Sequence, residues 1–349
     1  MYSPNFIISN KILRNIGTIE ACREVILNAP MLPAYEKKFR EDAIIRMVHH
    51  GTHIEGNALN YTEAAEVIKG AQITGRERDI QEVINYRNVI RYIEYVGEGE
   101  VSKGEITESV LKKIHALTVE KILPPEQCGG YRMVAVVVKN SQNGEVTFRP
   151  PPAVEVPYQM EELTEWLTTF KKDDIHPVLK AGIIHYELVR IHPFVDGNGR
   201  MSRACATLSL FLDAYDIKKF FSLEEYYDRD AAHYYEALKS AGEGDLTGWL
   251  SYFTEGLAIE LTRIKEKVQR LSTDIRLKEK LGGKQVFLSE REMEIMEFIE
   301  KNGYLQNQQF ETLFPKISED TILRDLKDLT EKNLITKVGK TKAARYVLK

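Results

Sequence analysis

Apolar residues recur at helical spacing along nearly the whole chain, and this pattern constrains the fold more than any other feature. Between residues 33 and 50, Phe39, Ile44, Met47 and Val48 fall on one broad face, as in an amphipathic helix. The same spacing predicts further helices at 60–70, 78–96, 106–121, 154–171, 177–191, 199–214, 229–241 and 245–278. The chain is therefore expected to be mainly α-helical.

One segment departs from the helical pattern. Residues 131–139 are rich in valine, which favours a strand. Residues 141–144 (Ser-Gln-Asn-Gly) then predict a turn, and extended structure resumes at residues 146–148. Three prolines at 150–152 end the pattern, because proline cannot donate to a strand ladder. The segment predicts one β-hairpin, and a single hairpin in a helical body is typical of a flap.

A length of 349 residues favours two domains over one. The boundary is expected near residues 281–283 (Leu-Gly-Gly). Beyond it, the pattern predicts helices at 289–302, 305–313 and 318–332, then strands at 334–338 and 344–348 around the turn 339–342. Three helices followed by a two-stranded hairpin are typical of a winged helix-turn-helix domain.

Composition excludes several classes of protein. The net charge is −4, which excludes a protein that is basic overall but not one with a local basic patch. The three cysteines, Cys22, Cys128 and Cys205, lie too far apart for a CxxC pair. The sequence has neither a secretory signal pattern nor a run of 18 uncharged apolar residues. A reducing, cytoplasmic setting is the expectation.

The most informative run extends from His192 to Arg203. Residues 197–199 (Gly-Asn-Gly) tolerate positive φ, so successive N–H groups can point into one concavity. A helix begins near residue 199, and its N-terminus brings partial positive charge to the same place. Arg200 and Arg203 lie in its first turns, where both can meet neighbouring phosphates. Together these features predict an anion-binding loop.

Two further residues add chemistry to this loop. Asp196 contributes one carboxylate, which suits Mg²⁺ when phosphate oxygens and water complete the shell. His192 titrates near neutral pH. Each feature alone has a structural alternative, since a glycine-rich turn is most often only a turn. The combination within 12 positions favours a functional site over packing.

Residues 192–203 match the Fic family motif, HPFx(D/E)GN(G/K)RxxR, at every specified position. The resemblance covers roughly residues 10–270. It includes Gly130-Tyr131-Arg132 before the hairpin, the 148–152 turn and the Tyr234-Tyr235 pair. It implies a mainly α, Fic-type helical bundle with one β-hairpin flap. It also implies transfer of AMP from ATP to a hydroxyl side chain of a target protein.

The resemblance implies a role for each motif residue. His192 would be the general base for a target Tyr, Thr or Ser, and Asp196 would hold Mg²⁺ against the phosphates. The N–H groups of residues 197–199 would stabilise charge on the phosphate oxygens. Arg200 would bind the β-phosphate side and Arg203 the γ-phosphate.

Outside the motif, the resemblance implies two more contacts. Val146, Thr147 and Phe148 would register the target segment by strand-like pairing. Tyr234 is placed to line the adenine pocket, and core packing is the alternative for it. His185 is expected to be a core histidine.

A second run, residues 52–57 (Thr-His-Ile-Glu-Gly-Asn), resembles the inhibitory motif of the same family, (S/T)xxxE(G/N). Glu55 would then pair with Arg203 and occupy the space of the γ-phosphate, inhibiting in cis. The match is imperfect, since Gly51 stands where the family has Ser or Thr and Thr52 lies one position later. A plain helix C-cap at residues 56–57 is the alternative. In some family members this glutamate also positions water for removal of AMP.

The C-terminal pattern leaves two interpretations open. Residues 317–329 resemble the recognition helix of bacterial winged-helix regulators, with Ser318 as N-cap and with Thr321 and Arg324 facing outward. Six basic and no acidic residues follow from Lys332 onward, which suits contact with phosphates. However, residues 284–349 hold 12 basic and 11 acidic residues. The sequence therefore leaves both DNA binding and a docking or dimerisation role open for the C-terminal domain.

The sequence thus predicts N-terminal helices with an inhibitory helix (1–100), a Fic catalytic core (101–280) and a winged-helix domain (284–349). The leading hypothesis is a Mg²⁺- and ATP-dependent protein adenylyltransferase that is autoinhibited by Glu55. The rivals are a nucleotide-sensing DNA-binding regulator and a Fic enzyme that removes AMP or uses another phosphate-linked donor. The implied partners are ATP, a target protein (the chain itself included), DNA at the winged helix and a second copy in a homodimer.

Overall fold

The computed structural model describes residues 2–31, 33–99, 105–139, 146–169, 175–242, 244–280, 288–315, 317–339 and 344–349. The chain divides into two compact units, Met1–Gln269 and Arg270–Lys349.

Helices dominate the first unit, which confirms the mainly α fold expected from the sequence. None of the helices in the described ranges is long and apolar enough to cross a membrane. In chain order the helices are α1 (Asn10–Asn28), α2 (Pro33–His53), α3 (Tyr61–Ile68), α4 (Glu77–Gly97), α5 (Glu108–Thr118), α6 (Val156–Thr169), α7 (Pro177–Ile191), α8 (Asn198–Leu212), α9 (Leu223–Arg229), α10 (Ala231–Ser240) and α11 (Thr247–Lys280). The last residues of α11, 270–280, belong to the second unit.

Helices α7 and α8 pack along each other at the centre of this unit. Both are buried over most of their length, as expected of helices surrounded by others on every side. Pro177 begins α7 at its first turn, where a missing N–H costs nothing. The loop at residues 192–197 joins the two helices. It is therefore fixed at both ends by the core.

Helix α1 is an element that the sequence analysis did not assign. Its buried residues Ile12, Asn15, Ile19, Cys22 and Ile26 follow helical spacing, and the Ser9 side chain accepts from the N–H of Ile12 as an N-cap. The sequence signal for this helix was weak for two reasons. The first turn contains no acidic residue, and a polar residue interrupts the apolar face. That residue, Asn15, donates to Thr254 Oγ1 of α11 at 3.1 Å.

The predicted strand over residues 131–139 is wrong for most of its length. Only β1 (Val138–Lys139) pairs with β2 (Val146–Phe148), antiparallel, with Val138 opposite Phe148. Residues 131–137 do not form a strand, because Arg132 bonds to carbonyl groups of the 191–193 segment instead. The predicted turn at 141–144 lies outside the described residues.

The second unit contains α12 (Glu290–Asn302), α13 (Phe310–Leu313) and α14 (Glu319–Glu331), followed by β3 (Ile335–Val338) and β4 (Arg345–Leu348). The two strands pair antiparallel from Ile335 with Leu348 to Val338 with Arg345. This arrangement confirms the predicted winged helix-turn-helix. The predicted boundary at 281–283 and the tip of the wing at 340–342 fall outside the described residues.

Candidate active site

The loop at residues 192–197 begins with a residue in an unusual conformation. His192 adopts φ 50° and ψ 59°, in the left-handed region, where a side chain with a Cβ is strained by about 1–2 kcal/mol. Its N–H still donates to Leu188 O at 3.1 Å, so it closes α7 as the chain turns away. This conformation turns the chain from α7 into the loop that leads to α8.

Phe194 and Asn198 fix the shape of this loop. The N–H of Phe194 donates to Asn198 Oδ1, and Asn198 Nδ2 donates back to Phe194 O, both at 2.9 Å. The Phe194 ring is fully buried and stacks on His115 with ring centroids 3.6 Å apart and an interplanar angle of 3°. Asn198 therefore stabilises the loop through its side chain, in addition to any role of its N–H group.

His115 supports the loop, and the sequence analysis missed it. Its Nδ1 accepts from the N–H of Gly129 at 2.9 Å. Its Nε2 lies 3.0 Å from Asp196 O and is the donor to it. Burial lowers the pKa of His115 to about 4, so the ring is neutral and holds both bonds at neutral pH. The sequence feature that could have identified His115 is its place on the apolar face of the predicted 106–121 helix.

Gly197 in the loop and Gly199 at the start of α8 are each required, for different reasons. Gly197 has φ +78°, and a Cβ there would lie 2.8 Å from a methyl carbon of Val119. Gly199 lies in α8, where a Cβ would collide with Glu55 Oε1. The first glycine shapes the loop, while the second leaves space that Glu55 now occupies.

The His192 imidazole is partly buried, and burial lowers its pKa below the ordinary range. Its Nδ1 lies 3.3 Å from Val189 O. When Nδ1 carries the proton and donates to this carbonyl, Nε2 is unprotonated. A neutral ring with a free Nε2 is the form that a general base requires.

Arg203 is buried and its guanidinium group meets the segment at residues 51–57. Nη2 donates to Glu55 Oε1 at 2.8 Å and to Gly51 O at 2.9 Å. Its Nε makes no hydrogen bond to the described residues. The predicted pairing of Glu55 with Arg203 is thus present in the structure.

Arg200 is also buried, and it faces a carboxylate that the sequence analysis did not identify. Nη1 lies 3.3 Å from Glu82 Oε1, and Nη2 lies 3.7 Å from Asp196 Oδ1. Within the described part of the chain, Nε and Nη1 of Arg200 make no hydrogen bond. Buried N–H groups without acceptors are uncommon, and phosphate oxygens would satisfy those of both arginines.

The Asp196 carboxylate accepts from the N–H of Gly197 at 2.6 Å and from Arg78 Nη2 at 3.0 Å. Arg78 also donates to Glu82 at 3.1 Å. Among the residues with described positions, no three His, Cys, Asp or Glu side chains form a group that could hold a metal ion. Asp196 therefore fits Mg²⁺ only if nucleotide phosphates and water supply the other ligands.

The segment at residues 51–57, here called the inhibitory segment, has no hydroxyl group at position 51. A Cβ at Gly51 would collide with the Tyr86 ring, which explains why this chain lacks the Ser or Thr of the family there. Thr52 Oγ1 donates to Val48 O and His49 O, at 2.9 and 3.0 Å. Asn57 Nδ2 donates to Glu82 Oε2 at 2.9 Å and anchors the far end of the segment.

Strand β2 of the flap and Tyr234 differ in how far their side chains are exposed. The Val146 and Phe148 side chains of β2 are exposed; of Thr147 only the strand assignment is described. Tyr234 is 1% exposed, its hydroxyl lies 2.9 Å from His185 Nε2, and its ring stacks on Tyr227. These contacts favour core packing for Tyr234, the alternative raised from the sequence.

Two segments of the chain match known families. Residues 105–210 match the Fic/DOC family, and residues 291–339 match the DeoR-like helix-turn-helix domain. The first match contains the loop and both arginines, and the second contains α12 and α14.

Curated relatives carry the name "Protein adenylyltransferase Fic". The protein from Drosophila grimshawi is 26% identical over 245 residues, covering 69% of this chain and 47% of that protein. The protein from Drosophila virilis is 28% identical over 222 residues, covering 63% and 42%. The chain thus spans about half the length of the curated relatives it matches.

Solved structures share the fold. A Fic family protein from Desulfovibrio desulfuricans has a TM-score of 0.66 at 24% identity, covering 100% of this chain and 98% of that one. Fic-1 from C. elegans has a TM-score of 0.60 at 23% identity, covering 76% and 73%.

Proposed function

Since residues 105–210 form a Fic/DOC family domain, we propose that this protein is an adenylyltransferase that moves AMP from ATP to a hydroxyl group of a target protein. The observation that carries the proposal is the pair of buried arginines, Arg200 and Arg203, each with at least one N–H group that makes no hydrogen bond to the described residues. They stand beside a glycine-rich loop and a base. The relatives named for this activity support the same assignment.

In the proposed complex the triphosphate lies along the start of α8. Arg203 binds the γ-phosphate and Arg200 the β-phosphate side, which satisfies their free N–H groups. The N–H groups of residues 198–199, in the first turn of α8, would stabilise the charge that develops on the oxygens of the α-phosphate. The N–H group of Gly197 already donates to Asp196 Oδ1. Asp196 would hold Mg²⁺, which when bound offsets the negative charge of the phosphates.

The chemical step is a substitution at the α-phosphorus. His192 Nε2 takes the proton from a Tyr, Thr or Ser hydroxyl group of the target. The hydroxyl oxygen attacks the α-phosphorus, the bond to the bridging oxygen of the β-phosphate breaks, and pyrophosphate leaves. The proton stays on His192 until it passes to water, and the ring is then neutral again.

The target enters along the flap in this proposal. The β1–β2 hairpin is short, and an extended target segment would pair with it as an added strand. Val146, Thr147 and Phe148 would set the register, so that one hydroxyl group reaches His192.

Glu55 is the proposed inhibitor in cis. While Glu55 bonds Arg203, the γ-phosphate has no partner at that position, and ATP binds with its α-phosphate out of line. The contact at 2.8 Å supports this proposal. A second use of Glu55, the positioning of water for removal of AMP, is open to the same residue.

Labelled nucleotides with a cell extract test the proposed reaction. ATP labelled in the α-phosphate should label protein when incubated with the Glu55→Gly variant. The Glu55→Gly/His192→Ala variant is the control and should lose this labelling by about a hundredfold or more. ATP labelled in the γ-phosphate should give the same labelling with both variants, because kinases of the extract supply it. His192-dependent labelling by UTP or GTP in place of ATP would contradict the choice of donor, and His192-dependent labelling by the γ-phosphate would contradict the reaction class.

A second candidate function, DNA binding, is favoured by the match of residues 291–339 to the DeoR-like helix-turn-helix domain. On α14, Arg324 and Lys327 are exposed, but so are the carboxylates of Glu319, Asp320 and Glu331. A gel shift that persists at about 150 mM salt would support DNA binding, since contacts made only through charge weaken steeply with salt. A shift that disappears there would leave docking as the role of this unit.

A further inference from the structure

Arg132 lies outside the motif, yet its side chain is 2% exposed and bonds to the loop that carries His192. Its Nε donates to His192 O at 2.8 Å, and Nη2 donates to Ile191 O at 3.4 Å. Its backbone N–H donates to Pro193 O at 2.9 Å. One residue therefore bonds to three successive carbonyl groups at the left-handed turn.

The same guanidinium group bonds to both ends of the flap. Nη1 donates to Val134 O at 3.1 Å, on the chain that enters β1. Nη2 donates to Pro151 O at 2.6 Å, on the chain that leaves β2. The flap and the loop are thus connected through a single side chain.

No carboxylate forms an ion pair with Arg132 in the part of the chain that the structure describes. A buried charge is costly unless hydrogen bonds compensate it, and here carbonyl oxygens alone provide them. Arginine suits this position because its planar fork offers five N–H donors in fixed directions. The contacts indicate a geometric role for Arg132 rather than one in charge neutralisation.

We propose that Arg132 is a positioning residue that holds His192 in its left-handed conformation and fixes the distance between the base and the flap. The inference rests on the proposed function, because it assigns to Arg132 the alignment of base and target hydroxyl group. It predicts a particular division of effects. Transfer should slow, while ATP binding should change little, because Arg200 and Arg203 lie on α8 and do not contact Arg132.

The test compares Arg132→Gln and Arg132→Lys in the Glu55→Gly background. Glutamine cannot reach four carbonyl groups, and lysine keeps the charge but lacks the fork. Both should lower kcat for AMP labelling by about 10- to 100-fold, the scale of a base misplaced by about 1 Å. The Kd for ATP should stay within about threefold, since the phosphate-binding residues are unchanged.

Arg190→Gln is the matched control. Arg190 lies near the end of α7, its side chain is 32% exposed, and it bonds to Glu187 and Gln159 rather than to the loop. Its substitution should leave kcat within about twofold, as for a side chain that touches no reacting group. Equal losses of kcat for Arg132→Gln and Arg190→Gln would assign Arg132 a general structural role.

The pH profile of kcat distinguishes a positioning role of Arg132 from an effect of its positive charge. The groups that shift the pKa of His192 include Arg132, which lowers it, and Glu55 and Asp196, which raise it. Arg132→Gln removes a neighbouring positive charge, so the acidic limb of the kcat profile should move to higher pH. Arg132→Lys keeps the charge and should move it less.

Hydrogen exchange decides the inference even if the Glu55→Gly parent transfers no AMP. Amides of residues 188–192, 194–197 and 148–149 should exchange about tenfold faster in Arg132→Gln than in Arg190→Gln, since the bonds that link these segments are lost. Absence of labelling in the parent would count against the proposed function alone. Unchanged exchange in these segments would overturn the role of Arg132.

Discussion

The two arginines of the phosphate site each face one carboxylate, but the two carboxylates differ in how they are held. Glu55 follows the end of α2, its side chain is 30% exposed, and it meets Arg203 at 2.8 Å. Glu82 lies within α4, its side chain is 8% exposed, and it meets Arg200 at 3.3 Å. Glu82 also accepts from Arg78 and Asn57. The Glu55 carboxylate can move away from Arg203, whereas the Glu82 carboxylate is held by several side chains as part of the structure around the site.

Under the proposed function, this difference favours Glu55 and not Glu82 as the inhibitory carboxylate. Withdrawal of Glu55 needs only a turn of its side chain or a shift of the segment around Gly56, which has φ +94°. Withdrawal of Glu82 would break bonds to three side chains. The two pairs look alike by charge, so exposure and position in the fold distinguish them.

Glu55→Gly and Glu82→Gln test this comparison with the largest expected effect. Glu55→Gly frees Arg203, so the initial rate of AMP labelling should rise about tenfold or more, which corresponds to about 1.4 kcal/mol or more. Glu82→Gln should leave the rate within about threefold and should lower the free energy of unfolding by about 1–3 kcal/mol, because it weakens a buried network.

The measurements are initial labelling rates and thermal unfolding of both variants. A rise in labelling for Glu82→Gln equal to that for Glu55→Gly would mean that both carboxylates inhibit. The assignment of Glu82 to the structure around the site would then be wrong.

Gly199→Ala tests the Glu55–Arg203 pair of this comparison without changing either of its residues. The added methyl group would collide with Glu55 Oε1 while leaving the N–H group of residue 199 in place. The methyl group would also enter the space proposed for the γ-phosphate beside Arg203. In the Glu55→Gly background, labelling should therefore fall severalfold, roughly three- to tenfold for an obstruction worth about 1 kcal/mol. Unchanged labelling in that background would show that the γ-phosphate does not occupy the position of Glu55.

The pH profile distinguishes the two carboxylates by their distance from the base. Burial lowers the pKa of His192, and Glu55 acts in the opposite direction. Because the base must be neutral and its pKa is lowered, labelling should still be close to its maximum at about pH 6.5, the ordinary pKa of histidine, and should fall only at lower pH. Removal of Glu55 should move this acidic limb to lower pH. Glu82→Gln, measured alongside, should leave the limb in place; an equal shift for both would contradict the assignment.

Thr52→Ala should have the smallest effect. The Thr52 hydroxyl group bonds to carbonyl groups of its own helix and not to Glu55. Labelling should therefore stay within about twofold of the parent, since a single local hydrogen bond is worth about 1 kcal/mol. An increase that matches Glu55→Gly would show that Thr52 anchors the inhibitory glutamate after all.

The motif could be interpreted from sequence because its geometry is local. Glycines 197 and 199 and the start of α8 depend on near neighbours in the chain, so the turn into α8 and the place of both arginines on that helix were predictable. The contact between Glu55 and Arg203 joins residues far apart in the chain. It was predicted only because the inhibitory segment resembles that of the family.

The supporting residues were not predictable in the same way. His115, Glu82 and Arg132 reach the loop from other parts of the chain, and their own neighbours in sequence give no indication of it. The strand prediction over residues 131–139 failed because valine content favours a strand, whereas the hydrogen bonds of Arg132 draw this segment to the loop. For Tyr234, burial favours the core alternative, which the sequence could not separate from a ligand contact.

Calorimetric titration with ATP and ADP tests the central claim, that Glu55 occupies the position of the γ-phosphate on Arg203. Wild type should bind the two nucleotides with nearly equal affinity, because the third phosphate has no free partner. Glu55→Gly should bind ATP about tenfold more tightly than ADP, the gain expected from one charge-assisted contact. An ATP-to-ADP affinity ratio that is the same in the two proteins would contradict the account.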